Sequence, residues 1–194
     1  VLIVGINSNR GLCGGFNNNV AKKVKLIAAE HKNSHVNILP IGKKMADSIK
    51  NTDFVIKGTL LPSNTEALWN NLSFESISEV AQNLMGRFAE GGLDKIIIVY
   101  NAFKNAGVQI VTTEQFLPII PVKQDEKTSS TDYIFEPSKA EIVDNLIPNS
   151  LKTQLYKAML DSFASEHGAR MTAMHKATDN ATDLKKELQL FYNK

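Results

Sequence analysis

At 194 residues the chain has room for one compact domain plus an extension, and its 43% hydrophobic content is ample for a buried core. Its 22 Lys and Arg against 20 Asp and Glu leave a formal net charge of +2, too even a balance for a broad nucleic-acid-binding face, so no nucleic acid is expected among its partners. The single cysteine, Cys13, excludes an internal disulfide and any cysteine-cluster metal site, and it fits a reducing compartment. No apolar run approaches the ~20 residues of a membrane span, and no signal peptide precedes the first strand. Val1 already lies inside an apolar strand without an initiator methionine, so a fragment of a longer chain is expected.

Val1 to Ile6 is a continuous apolar run, the pattern of a strand buried on both faces, and a Gly-rich turn follows it. From Asn17 to Lys32, Val20, Val24, Ile27 and Ala28 form one apolar stripe opposite Lys22, Lys25 and Glu30, which predicts an amphipathic helix. A strand over Val36 to Ile41, a short helix over Lys43 to Lys50 and a strand over Phe54 to Lys57 complete a β-α-β-α-β alternation, hence an α/β domain. Ser73 opens a further helix with the stripe Ile77, Val80, Ala81, Leu84 and Phe88, stopped at Gly91-Gly92. Lys95 to Ala102 and Val108 to Phe116 read as a hairpin on the sheet edge. Lys123 to Asp132 is polar and without periodicity, and is expected to be a mobile loop. Ser138-Lys-Ala-Glu141 has the form of a capping box opening a short helix that Pro148 ends.

After Pro148 nothing breaks a helix, and Leu160, Phe163, His167, Arg170, Met174, Ala177, Ala181, Leu184, Leu188 and Phe191 follow at alternating spacings of three and four. That is a coiled-coil seam, which requires a partner helix. A helix from near Asn149 to Lys194 would be about 65 Å long at 1.5 Å per residue and must project as a rod. No other segment of the chain is long enough to pair with it.

The loop Ser8-Asn9-Arg10-Gly11-Leu12-Cys13-Gly14-Gly15-Phe16-Asn17 lies between a strand and a helix, where α/β proteins often hold phosphate on backbone amides. It has neither the G-x-x-x-x-G-K-[ST] pattern nor the first G-x-G of the dinucleotide fingerprint. Two readings therefore stand: a tight strand-to-helix turn, or the cradle of a nucleotide- or phosphate-binding α/β module. Cys13 could be activated by the helix terminus, but no histidine is tied to this loop as its base, and a structural thiol is the simpler reading. His167 and His175 are eight apart rather than the four a helical metal site wants. No catalytic, metal or cofactor-binding residue is assigned, and no cofactor is expected.

The stretch Glu166-His-Gly-Ala-Arg170-Met-Thr-Ala-Met174-His-Lys-Ala177-Thr-Asp-Asn-Ala181 closely resembles the C-terminal helix of the gamma-subunit family of F-type ATP synthases, with its Ala-Arg-Met, Ala-Met and Ala-Thr-x-Asn-Ala segments. The Gly-rich loop resembles the family's Ser-Asp-Arg-Gly-Leu-Cys-Gly-(Gly or Ala), followed in bacterial members by Phe-Asn, and Tyr133-Ile-Phe-Glu136-Pro137 resembles its Tyr-x-(Tyr or Phe)-Glu-Pro. Asn9 stands where the family has aspartate. Gly168 stands where alanine is common, at about 1 kcal/mol of helix propensity.

The resemblance implies a Rossmann-like, mostly parallel sheet with an edge hairpin, followed by a projecting helix that forms half of an antiparallel coiled coil. Residues 1–136 would be the globular foot, and residues 137–194 a short helix and the coiled-coil helix. The implied function is a central-stalk rotor subunit, which does no bond chemistry and couples proton-driven rotation of a membrane ring to ATP synthesis. The implied partners are the alpha and beta subunits of the catalytic hexamer, the epsilon subunit, the c subunits of the rotor ring and an N-terminal helix of the same subunit. The implied location is peripheral, on the cytoplasmic face of the bacterial plasma membrane. By resemblance Arg170 meets a polar beta-subunit loop, and Tyr133 and Glu136 face the ring; Met174, Ala177, Ala181, Leu184 and Leu188 are further expected subunit contacts, lying on the seam.

Overall fold

The computed structural model describes residues 1–32, 34–52, 65–120, 136 and 138–193. Strand β1 (Leu2–Ile6) is buried throughout, as its unbroken apolar run requires, and leads through the Gly-rich loop into α1 (Phe16–Glu30). Strand β2 (Asn37–Ile41) and helix α2 (Lys43–Ile49) follow, then α3 (Thr65–Asn70), α4 (Phe74–Ala89), the strands β3 (Ile96–Asn105) and β4 (Val108–Leu117), and α5 (Lys139–Tyr192). The sheet order is β2-β1-β3-β4, with β1 parallel to both β2 and β3 and β3–β4 an antiparallel hairpin. This is the mostly parallel α/β sheet with an added hairpin that the alternation predicts. The strand expected over 54–57 and the loop over 123–132 lie outside the described residues.

Helices cover both faces. Val20, Val24, Ile27 and Ala28 of α1 and Met45 and Ile49 of α2 pack on Ile3, Ile38, Ile97 and Val99. On the other face, Ile77, Val80, Ala81 and Leu84 of α4 and Leu151, Leu155, Ala158 and Met159 of α5 pack on Leu2, Val4, Ile6, Ile98 and Tyr100. Alternate residues along each strand feed the two cores because successive strand side chains point to opposite faces. Ser73 caps α4 by accepting the Ser76 N–H at 3.2 Å, and Ser138 caps α5 by accepting that of Glu141 at 3.2 Å, so both expected N-caps form.

Two features differ from the sequence reading. Helix α5 runs unbroken through Pro148 for 54 residues, about 80 Å, instead of restarting near Asn149. Pro148 removes a bond to the carbonyl of Asp144, but Asp144 and its neighbours are exposed, so water can satisfy the freed oxygen. The short helix α3 carrying Trp69 is absent from the sequence reading.

The seam also divides. Up to residue 170, the side of α5 that is buried carries Leu151, Leu155, Ala158, Met159, Ser162, Ser165, Glu166 and Ala169, whereas Leu160 and His167 of the expected seam are exposed. From Met174 to Asn193 every residue is exposed, so the distal helix does project beyond the foot.

Candidate functional site

The chemistry-bearing residues converge where α5 leaves the foot. Glu166 is only 3% exposed, unusual for a carboxylate, and both its oxygens are engaged. Trp69 of α3 donates its indole N–H to Oε2 at 2.7 Å, and the Arg170 guanidinium, one helical turn on, forms an ion pair with Oε1. Arg170 Nε also donates to the Gly11 carbonyl at 3.4 Å, and its side chain is 24% exposed. The sequence reading treats Arg170 as a seam residue reaching outward; here it is joined to the foot as well. Phe163 meets the Trp69 ring edge-on at 5.9 Å and the His167 ring at 4.6 Å.

Two other foot elements reach the same two turns of α5. Asn101, at the end of the buried part of β3, donates to the Phe16 carbonyl at 3.3 Å, while its own carbonyl accepts from Ser165 Oγ at 3.1 Å. The turn of the β3–β4 hairpin lies over Gly168, and the Thr172 hydroxyl faces both the Gly168 carbonyl of its own helix at 3.1 Å and the Ala106 carbonyl at 3.3 Å.

The Gly-rich loop is held by its own side chains. Asn17 Oδ1 accepts from the Ser8 N–H at 3.1 Å and from the Ser8 hydroxyl at 3.0 Å; its Nδ2 donates to the Arg10 carbonyl at 3.3 Å and to Cys13 Sγ at 3.1 Å. Cys13 is buried with Phe16 and Ala169, which places the loop under the root of α5. Leu12 takes the left-handed conformation at φ 62° with its side chain 76% exposed. Gly42, at φ 88°, brings the β2–α2 turn against this loop so closely that a β-carbon there would stand 2.0 Å from the Asn7 carbonyl oxygen. The geometry supports the turn reading, because the Ser8 amide and the Asn17 side chain are spent within the loop.

Of the expected subunit contacts, Met174, Ala177, Ala181, Leu184 and Leu188 lie on the exposed distal helix, with Leu188 62% exposed. Glu136 is exposed, and Tyr133 lies outside the described residues. Among the described residues no group of three or more His, Cys, Asp or Glu could hold a metal ion, and no helix is long and apolar enough to cross a membrane. Sequence reasoning missed Trp69, Glu166, Asn101 and Ser165. The chain's single tryptophan was a signal for the first, whereas Glu166 carried none, since in the sequence it reads as a helix-surface glutamate.

Over residues 1–194 the chain matches the family model described as ATP synthase. It is 55% identical over 194 residues to the ATP synthase gamma chain of Flavobacterium psychrophilum, covering 100% of this chain and 66% of that one. It is 44% identical over 202 residues to the ATP synthase gamma chain of Cytophaga hutchinsonii, with 100% and 67% covered. The chain thus spans about two thirds of the length of the curated relatives it matches. Among solved structures, its fold is similar to a chain of the Tetrahymena thermophila mitochondrial ATP synthase central stalk and c-ring, with TM-score 0.65, 24% identity, and 91% of this chain and 75% of that chain covered. It is also similar to a chain of the Euglena gracilis mitochondrial ATP synthase rotor, with TM-score 0.67, 19% identity, and 100% and 72% covered.

Proposed function

This chain belongs to the ATP synthase gamma-chain family, and on that premise we propose that it is the central-stalk rotor subunit of an F-type ATP synthase. Residues 1–136 act as the foot, the packed part of α5 up to Arg170 joins it, and the exposed helix from Met174 onward enters the shaft. The observation that carries this reading is the uncovered distal half of α5. Leu184, Leu188 and Phe191 stand exposed in succession on a projecting helix, and Ala177 and Ala181 leave room for a second backbone to approach. An isolated helix with such a stripe is an incomplete coiled coil. We assign as its mate an N-terminal helix of the same subunit, a reading that fits a chain spanning 66% of the length of its Flavobacterium psychrophilum relative.

As a rotor the chain performs no bond chemistry. Proton flow turns the c ring, the foot docks on the ring and on epsilon, and the asymmetric shaft drives the alpha and beta subunits through binding, synthesis and release of ATP. The foot's contact with the ring is assigned to Glu136 and Tyr133. Arg170 offers its remaining guanidinium donors to an acidic beta-subunit loop, since a planar fork makes directional bonds to carboxylates. The complex sits peripherally on the cytoplasmic face of the bacterial plasma membrane.

Mixing the full-length subunit with alpha, beta and epsilon subunits tests this reading. The expected result is an ATP-hydrolysing complex that contains this chain in one copy and does not form without it. Failure to co-purify with alpha and beta under conditions where those subunits are folded would remove the rotor assignment.

A further inference from the structure

We propose that Glu166 is the positioning residue of the shaft root, fixing the direction in which α5 leaves the foot and the setting at which Arg170 is presented. Glu166 and Arg170 are one turn apart on the same helix, so their attraction alone ties α5 to nothing. The tie comes from what each partner reaches beyond the pair: Glu166 takes the indole N–H of Trp69 on α3, and Arg170 gives Nε–H to the carbonyl of Gly11 in the Gly-rich loop.

One attachment would let a helix swivel, whereas attachments to separate foot elements define its rotation about its own axis. The Ala106 turn adds a third by its close packing over Gly168, and the hydrogen bond from Ser165 to Asn101 a fourth. All lie within residues 165–172, and from Met174 onward every described residue of the helix is exposed. The packing of Leu151, Leu155, Ala158 and Met159 on the sheet and α4 lays down the run of the helix, and this collar is the last set of attachments before the helix leaves the foot. Glu166 is its buried centre, because it engages Trp69 and Arg170 at once, and glutamine there gives up the charge that holds Arg170 while still able to accept the indole N–H. For what the setting is used for, the proposal rests on the rotor reading.

The test uses the full-length subunit with spin labels on cysteines introduced at Lys25 of α1 and Lys185 of α5, both exposed; Cys13 stays in place because it is buried. Distance distributions are measured by electron double resonance for the unsubstituted chain, Glu166→Gln, Trp69→Phe and Lys186→Ala, free and after mixing with alpha and beta subunits. Glu166→Gln and Trp69→Phe are expected to broaden and shift the free-chain distribution with helix content unchanged, and Lys186→Ala, whose exposed partner is Asp183, to leave it as it was. In assembled complexes with matched subunit content, Glu166→Gln is expected to lower ATP turnover at saturating substrate without changing the KM for ATP. Distributions that coincide in all four chains would overturn the proposal. Should Glu166→Gln fail to fold, Trp69→Phe carries the test alone, since it keeps an aromatic ring in the core while removing the N–H together with part of the indole's bulk. A chain that never assembles with alpha and beta sinks the rotor reading but leaves the distance result to judge the joint.

Discussion

Ala106, at the tip of the β3–β4 hairpin, lies so close over Gly168 of α5 that a β-carbon at 168 would stand 2.8 Å from the Ala106 carbonyl oxygen. Glycine costs about 1 kcal/mol against alanine in a helix interior, so on propensity alone Gly168→Ala should stabilise. Here the added methyl meets backbone, which cannot swing aside, and overpacking of this kind costs roughly 1–3 kcal/mol. The expected net result is a loss of about 1 kcal/mol in denaturant unfolding. Gly86 of α4 is the internal control. A β-carbon there meets nothing within 4 Å, so Gly86→Ala should raise stability by roughly 0.5–1 kcal/mol.

The Trp69–Glu166 bond joins residues 97 apart in sequence and is buried. Hydrogen bonds to charged groups contribute about 1.5–3 kcal/mol, and the smaller ring also gives up buried contact, so Trp69→Phe should lower the unfolding free energy by at least about 1.5 kcal/mol. Because Trp69 is the only tryptophan, its emission also reports on the carboxylate beside it. Glu166→Ala should shift that emission while the far-ultraviolet signal holds. An unshifted spectrum would mean that the indole does not sense residue 166.

The strands, the helices α1, α2 and α4 and the projection of α5 were legible because each is written locally, in a period of two or of 3.6. The caps at Ser73 and Ser138 were legible for the same reason. Pro148 misled because its effect depends on whether the freed Asp144 carbonyl has water near it, which is a property of the surface and not of the dipeptide. The root of α5 was the least legible part. Glu166 reads as an ordinary helix-surface glutamate until α3 is known to bring Trp69 against it, and Gly168 reads as a departure until the hairpin turn is seen above it. Arg170 was singled out by family resemblance, but its partners in this chain, Glu166 and Gly11, come from tertiary packing. The seam, extrapolated as one continuous register, holds as an exposed stripe only where the foot no longer competes for the helix surface.

Tyr100 gives the fold a pH dependence with a definite sign. It is buried, donates its hydroxyl to Glu114 Oε1 at 2.6 Å, and lies near the charge of Asp161. Burial first, then the bond and charge of Glu114, then Asp161, push its pKa well above the ordinary tyrosine value near 10. The folded state therefore holds this proton more tightly than the unfolded state does. Its contribution to stability is fully present below the unfolded value and is lost as pH rises from there towards the folded one. Urea unfolding across the alkaline range should show stability falling with pH, and Tyr100→Phe should flatten that slope. Equal slopes in the two chains would show that other groups govern the alkaline limb.

The uncovered stripe on distal α5 predicts association. A chain of these 194 residues presents Leu184, Leu188, Leu190 and Phe191 to water, with Phe191 84% exposed. Apolar burial returns about 25 cal/mol per Å², so pairing two such stripes is favourable once the chain is concentrated enough. Sedimentation should show mass rising with concentration, and Leu184→Glu with Leu188→Glu should return the chain to a monomer. Adding the full N-terminal helix in cis should have the same effect without any substitution. An unsubstituted chain of these 194 residues that stays monomeric with a fully ordered distal helix would show that this stripe needs no cover.

Arg170 separates the shaft's root from its ordinary surface charges. Its guanidinium is only partly exposed and sits between Glu166 and Gly11, whereas Lys186 forms an exposed pair with Asp183 of the kind that contributes about 0–1 kcal/mol. In the assembled complex, Arg170→Ala should lower ATP turnover more than Lys186→Ala or Lys185→Ala, with the subunits still retained. Truncating Arg170 leaves the Glu166 carboxylate buried with only the Trp69 N–H. Part of the loss should therefore be recovered by also replacing Glu166 with glutamine, a neutral side chain that can still accept that bond. Turnover measured across Arg170→Ala, Glu166→Gln and the double variant gives the coupling directly. Strict additivity would mean that Arg170 acts only through its outward contacts, and equal turnover in all the variants would remove it from the rotor's working altogether.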